Sequence, residues 1–418
     1  MRAVVVAVAV GGILLAGCSG SAALATPSSS ASAGGGPAAT AGVADRPPSP
    51  ARAGDATSAG CAAARPAQAV TGLEAGGLTG VQFVSARQGW VVGADRILST
   101  TDGGAHWTVQ DRGRLQVMSV DFISGLRGWA VGASSLLATS DGGRHWTVLP
   151  GECPLIRAVH FVSPSVGFAV AGGAGIVLYG GAAPEVAGVV LATRDGGRSW
   201  HRLAAPADAQ SVCFNDPRSG WLGAGGRLYR TADGGRSWTR AAGLRPLRPG
   251  YPATMIVQCA GSGTAWALDI GPGAAASQMP HIGYHADAAG AAAIFAEQYF
   301  PHPGVVVSAA SPGPYPAALS ALSSSAAAYV DYCSPCGDGT GPWDLVTGNG
   351  ATLSRKGNVG ELNQPLAASF LTPALGWVVG TYVDNRDPRR PRRCWRVVTT
   401  SDGGRNWQVD YTTHSGTP

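Results

Sequence analysis

Aspartate is the residue type whose spacing first suggests chemistry. Asp102, Asp141, Asp195, Asp233 and Asp402 each open an Asp-Gly-Gly tripeptide, and five residues on stand Trp107, Trp146, Trp200, Trp238 and Trp407. Carboxylates in such numbers would suit metal ligation or general acid–base work. An active site, however, needs one asymmetric constellation, whereas an acid recurring at a turn performs one local task repeatedly. These ten residues are therefore expected to be structural, and no catalytic, cofactor-binding or metal residue is assigned. Glycoside hydrolysis needs two opposed carboxylates, and the five glutamates (Glu74, Glu152, Glu185, Glu297, Glu361) have no catalytic frame. His281, His285 and His302 cluster loosely, without the short fixed spacing of a helical metal motif.

Sulfur and guanidinium groups complete the inventory. Cys333-Ser334-Pro335-Cys336 has redox spacing but lies in a Gly/Pro-rich stretch without a βαβ context, so a local disulfide is expected. Cys213 and Cys259 fall at similar places in adjacent repeat units and form a candidate pair between them. Six arginines crowd positions 386–396, between two predicted strands. Among them Arg389, Arg390, Arg392 and Arg393 are candidate contacts for an acidic protein or an anionic envelope component, since guanidinium forks onto carboxylate and phosphate. The competing reading is a solvated insertion loop.

The amino terminus supplies an address. Met1-Arg2 precedes an apolar run from Ala3 to Leu14, too short to span a bilayer, then Leu15-Ala16-Gly17-Cys18. That tetrapeptide resembles the lipobox of bacterial lipoproteins. The resemblance implies a signal peptide over 1–17, lipidation of Cys18 and a place on the outer face of the cell membrane. Residues 18–66 are Ala, Ser, Gly and Pro with almost no large apolar side chain. Such a segment cannot offset its ordering entropy and reads as a disordered tether of roughly 40 Å reach.

The elements that must position these residues follow from self-similarity. Each Asp-Gly-Gly has Thr two residues before its aspartate (Thr100, Thr139, Thr193, Thr231, Thr400), and the first intervals are 39, 54 and 38 residues. Upstream lies Gly-Trp-Val-Val-Gly or a variant, at 89–93, 128–132, 167–170, 220–223 and 376–380. Before that comes an alternating run such as Val81-Gln82-Phe83-Val84. One unit reads as four short strands, with the glycine pair supplying the positive φ of a hairpin turn. Such a sheet cannot bury both faces alone, so copies must stack radially.

The Thr-x-Asp-Gly-Gly-x-x-Trp pattern resembles the Asp-box, or BNR, repeat. With the Gly-Trp strand it is similar to the photosystem II assembly factor family, which implies an all-β, seven-bladed propeller over 78–412. The expected blades are about 78–113, 115–151, 155–206, 209–246, 253–300, 304–360 and 366–412, the fifth and sixth degenerate. Composition agrees: 62 Gly, 29 Pro and 13% charged residues exclude a coiled coil, and 45% hydrophobic residues exclude a disordered chain. The expected function is a non-catalytic, extracytoplasmic binding or assembly scaffold without cofactor. Its partner would be a protein or anionic envelope component, not nucleic acid; the alternative is a sialidase-like glycan hydrolase on the same fold. Cys18→Ala should move the protein from the membrane pellet to the soluble fraction, and unchanged fractionation would remove the lipid-anchor reading.

Overall fold

The structure, a computed structural model, describes residues 77–93, 96–112, 117–132, 135–150, 156–172, 188–245, 254–261, 263–271, 281–298, 315–332, 341–347, 352–384 and 392–414. These residues form seven four-stranded antiparallel sheets and no helix. Each sheet is one consecutive stretch of chain: 78–112, 117–148, 156–202, 209–240, 254–298, 315–359 and 364–414, numbered blades 1 to 7. They close into a seven-bladed β-propeller. Blade 7 packs its first strand, Gln364–Phe370, against the Leu78–Phe83 strand of blade 1.

The first strand of every blade lies at an edge of its sheet, and its backbone N–H groups need partners from elsewhere. At one matching position in six of the blades, a side chain bonds an N–H or carbonyl of the next blade's first strand. Gln82 accepts from the Phe122 N–H (2.7 Å) and donates to its carbonyl (3.2 Å). Asp121 accepts from the Phe161 N–H at 2.5 Å, and His160 Nε2 donates to the Phe214 carbonyl at 2.7 Å. Gln258 bonds the Leu319 carbonyl (2.6 Å) and the Ala321 N–H (2.9 Å). Ser320 accepts from the Phe370 N–H, and Ser369 from the Phe83 N–H, which closes the circle. From blade 4 to blade 5 this position holds the disulfide Cys213–Cys259, and Gln210 and Ser211 bond the Met255 N–H and carbonyl along the same seam.

Beside this belt runs an aromatic layer. Trp377, Trp90 and Trp129 each stack on the phenylalanine of the following blade (Phe83, Phe122, Phe161), with centroids 3.4–3.5 Å apart. Phe168 does the same on Phe214. The five phenylalanines of the motif blades lie flat over the first glycine of their own Gly-Trp pair. A Cβ at Gly89, Gly128, Gly167, Gly220 or Gly376 would sit 2.2–2.5 Å from the ring, which explains the glycine. Blades 5 and 6 carry Cys259 and Ala321 in place of the phenylalanine, and there the paired glycine becomes Ala265 or Ala327.

The buried indoles also bond across their seams. Trp90, Trp129 and Trp377 donate to the Gly142, Gly196 and Gly103 carbonyls of the next blade's turn at 2.9–3.0 Å. Phe168 stands in that place in blade 3 and keeps the stack without the donor. Trp129→Phe should therefore cost about 1–2 kcal/mol, the worth of a buried carbonyl left without its donor. Trp129→Ala should cost about 3–5 kcal/mol by emptying the layer. Denaturant unfolding of the two variants checks the order.

Candidate functional site

The Asp-Gly-Gly turns have one shared geometry. In blade 1, Thr100 Oγ1 donates to Asp102 Oδ1 (2.8 Å) and accepts from the Gly104 N–H (2.9 Å). Asp102 Oδ1 also accepts from the His106 N–H at 3.0 Å, and Oδ2 pairs with His106 Nδ1 at 2.7 Å. Gly103 and Gly104 take φ of 83° and 105°, open to glycine at little cost. The same bonds recur at Asp141, Asp195, Asp233 and Asp402, with His145, Ser199, Ser237 and Asn406 as the side-chain donor four residues on. The residue four positions on thus varies in type but always donates. The turn tryptophans Trp107, Trp146, Trp200, Trp238 and Trp407 each meet their own blade's phenylalanine edge-on.

The first glycine N–H of each turn donates to a carbonyl in the turn joining that blade's first and second strands, as Gly103 does to Arg87 at 2.8 Å. Both kinds of turn therefore share one face of the propeller. Connections between second and third strands leave from the opposite face, where the ends of the blade 7 hairpin also lie. There the second strand runs Gly376–Asp384 and the third Arg392–Thr400.

The arginine run is only partly a loop. Arg392, Arg393 and Arg396 belong to a nine-residue strand, with Arg392 opposite Asp384 and Arg393 opposite Val383; Arg389 and Arg390 lie outside the described residues. Arg396 is committed to the fold, since its guanidinium lies 3.5 Å over the Tyr382 ring and bonds Glu361 Oε2 at 2.8 Å. Arg392 is exposed.

The described histidines of this cluster, His281 and His285, do not converge on a metal site. His281 Nε2 meets the Tyr329 hydroxyl at 2.6 Å, and His285 Nε2 donates to the Ser324 carbonyl at 2.8 Å. Among the described residues no three His, Cys, Asp or Glu side chains form a metal-holding group. His302, Cys18, Cys333 and Cys336 lie outside those residues, as do the segments expected to be signal peptide and tether. Cys213 and Cys259 are joined, with Cα atoms 5.5 Å apart. Cys259 stands one residue beyond the position matching Cys213, which is Gln258.

Burial raises the pKa of two acids that sequence reading passed over. Asp410 faces the Gly104 turn of blade 1, accepts a bond from Thr399 Oγ1, and is pushed up to about 6. Asp269, in the second strand of blade 5, is pushed up to about 7.

Residues 67–174 match the family model of the photosynthesis system II assembly factor YCF48. The YCF48 resemblance is thus shown over blades 1 and 2 and the start of blade 3. Among solved structures, an ancestral GH74 enzyme has a TM-score of 0.51 at 14% identity, covering 82% of this chain and 47% of its own. The GH74 enzyme of Niastella koreensis has a TM-score of 0.49 at 10% identity, covering 81% and 66%. YCF48 from Cyanidioschyzon merolae has a TM-score of 0.35 at 14% identity, covering 79% and 84%. The chain thus spans about half of one GH74 enzyme and just under two thirds of the other. At these identities the likeness is one of fold. No curated protein matches the sequence.

The turn carboxylates carry a pH signature. At Asp195 burial opposes ionisation but is outweighed by bonds from Ser199, Thr193 and the Arg198 backbone, so its pKa falls to about 2; Asp233 behaves likewise. A depressed folded-state value contributes stability that is complete above the ordinary value of 3.8 and is lost as pH falls towards 2. Asp195→Ala with Asp233→Ala should lower the melting temperature at pH 7 and flatten its fall between pH 4 and pH 2.

Proposed function

We propose that this propeller is a non-catalytic binding or assembly scaffold. It is held on the extracytoplasmic face of the membrane by lipid on Cys18, and binds an acidic protein or anionic envelope polymer through the basic hairpin of blade 7. The observation that carries the reading is the use of the repeated carboxylates. Both oxygens of Asp102, Asp141, Asp195, Asp233 and Asp402 are occupied by donors of their own turn, which suits a scaffold and leaves them poor acids or nucleophiles. The match of residues 67–174 to a family described as an assembly factor supports the same class.

A glycan hydrolase would need two carboxyl groups facing one cleft. The two acids with raised values, Asp269 and Asp410, belong instead to different seams, blade 4 to blade 5 and blade 7 to blade 1. Arg392 stands exposed at the start of its strand, where a guanidinium can fork onto carboxylate or phosphate.

Replacing Arg389, Arg390 and Arg392 with Ser, while leaving Arg396 on Tyr382 and Glu361, should weaken capture of envelope components with little change in melting temperature. Moderate salt should act as the substitution does, by screening. Unaltered and salt-insensitive capture would overturn the assignment of this hairpin.

A further inference from the structure

The last residue of the five-residue second-strand motif is small in five blades: Gly93, Gly132, Ala171, Ala224 and Gly380. Blades 5 and 6 place Asp269 and Asp331 there. Asp269 is 1% exposed, with buried Met255 opposite it on the first strand of blade 5 and buried Ile282 opposite it on the third. No described residue hydrogen-bonds or ion-pairs with it, and its Oδ1 is wholly enclosed.

No cation faces it from the surrounding strands. The first strand of blade 5, Thr254–Ala260, carries only Cys259, which is held in the disulfide. On the third strand, His281 and His285 turn towards blade 6, and the Tyr284 hydroxyl is taken by the Arg245 backbone. The inner strands of blade 4, Ala209–Phe214 and Gly220–Ala224, carry only Cys213. Its third strand, Arg227–Thr231, packs Leu228 into the seam and places Arg230 at the register of Trp221, towards the disulfide end. Tyr315 is the single titratable residue of the first strand of blade 6. A carboxylate in such surroundings has lost its hydration without gaining a partner.

We propose that Asp269 makes the seam between blades 4 and 5 a proton-controlled joint, closed while the carboxyl is protonated and loosened when it ionises. Cys213–Cys259 pins the seam covalently beside Ala265 at one end of the strand pair, and Asp269 lies four residues further on, roughly 13 Å along the strand. At the Asp269 end, by contrast, blade 4 holds blade 5 by hydrogen bonds that can open, from the Met255 N–H to Gln210 and from Ser211 to the Met255 carbonyl. Burial raises the carboxyl to about 7, whereas an opened, wetted seam returns it to its ordinary 3.8. Opening therefore releases a proton and is favoured by rising pH. Its equilibrium constant climbs by up to about tenfold per pH unit between those two values and levels off above the higher one.

Native-state hydrogen exchange from pH 5 to pH 8.5, corrected for intrinsic rates, tests the joint in the intact, oxidised protein. Opening constants for Thr254–Ala260 and Gly220–Ala224 should rise by up to about 100-fold from pH 5 to pH 7 and then flatten. They should be pH-independent in Asp269→Asn and in Asp269→Ala, the latter matching Ala171 and Ala224. Amides of Gly89–Gly93, in the seam from blade 1 to blade 2, should not change with pH in any of the three. A flat wild-type profile, or the same rise in both variants, would overturn the proposal. Carbon-13 titration of the wild-type aspartates reads it without any variant. One carboxyl should titrate near 7, and values all below 5 would also overturn the proposal.

Discussion

Seven first strands stand side by side around the axis with no strand between them, and the bond each makes to the next is the contact on which the ring depends. A side chain beside the aromatic position reaches the backbone of the following blade, and six of the seven links are hydrogen bonds to N–H or carbonyl groups. The geometry is constant while the chemistry changes from amide to carboxylate, imidazole, thiol and hydroxyl. That constancy accounts for the disulfide. A side chain that reaches the next blade's backbone N–H also reaches the Cβ region of the same residue, and with cysteine at both places the contact becomes covalent.

The belt fixes where the aromatic layer lies, and the layer fixes the turns. Phe83, Phe122 and Phe161 each have a face on the previous blade's tryptophan and meet their own turn tryptophan edge-on, as Phe122 does with Trp90 and Trp146. The indole N–H then holds the first turn glycine by its carbonyl, and the threonine and aspartate hold the rest of the turn. Blade 5 moves the aromatic elsewhere. Phe295 on the outer strand covers Gly283 and meets Trp266 edge-on.

This hierarchy explains what could be read in advance. The Asp-Gly-Gly turns and Gly-Trp strands are local motifs, so their period announced the propeller, and the threonine and aspartate side-chain bonds of each turn span at most four residues. Belt partners are 40 to 286 residues apart and share no residue type, so nothing in the spacing of Gln82, His160 or Ser369 marks them. Asp269 was equally hidden, because an acid ending Ala-Trp-Ala-Leu-Asp looks like a strand end meeting solvent. The arginine run misled in the other direction. Its charge and prolines suggested a loop as far as Arg396, yet pairing with residues 380–384 draws Arg392 to Arg396 into the sheet.

Because every sheet is one uninterrupted stretch of chain, synthesis from the amino end completes the blades one at a time. Phe122, Phe161 and Phe214 each find the aromatic ring of the preceding blade already in place, so packing proceeds in the direction of translation. Phe83 is the exception. Its stacking partner, Trp377, and the hydroxyl that receives its N–H, on Ser369, arrive only with the last blade. Throughout elongation the nascent chain therefore carries one uncovered aromatic face and one unpaired strand edge at its leading blade. The final blade covers both at once, and the ring is finished by the same residues that end the exposure.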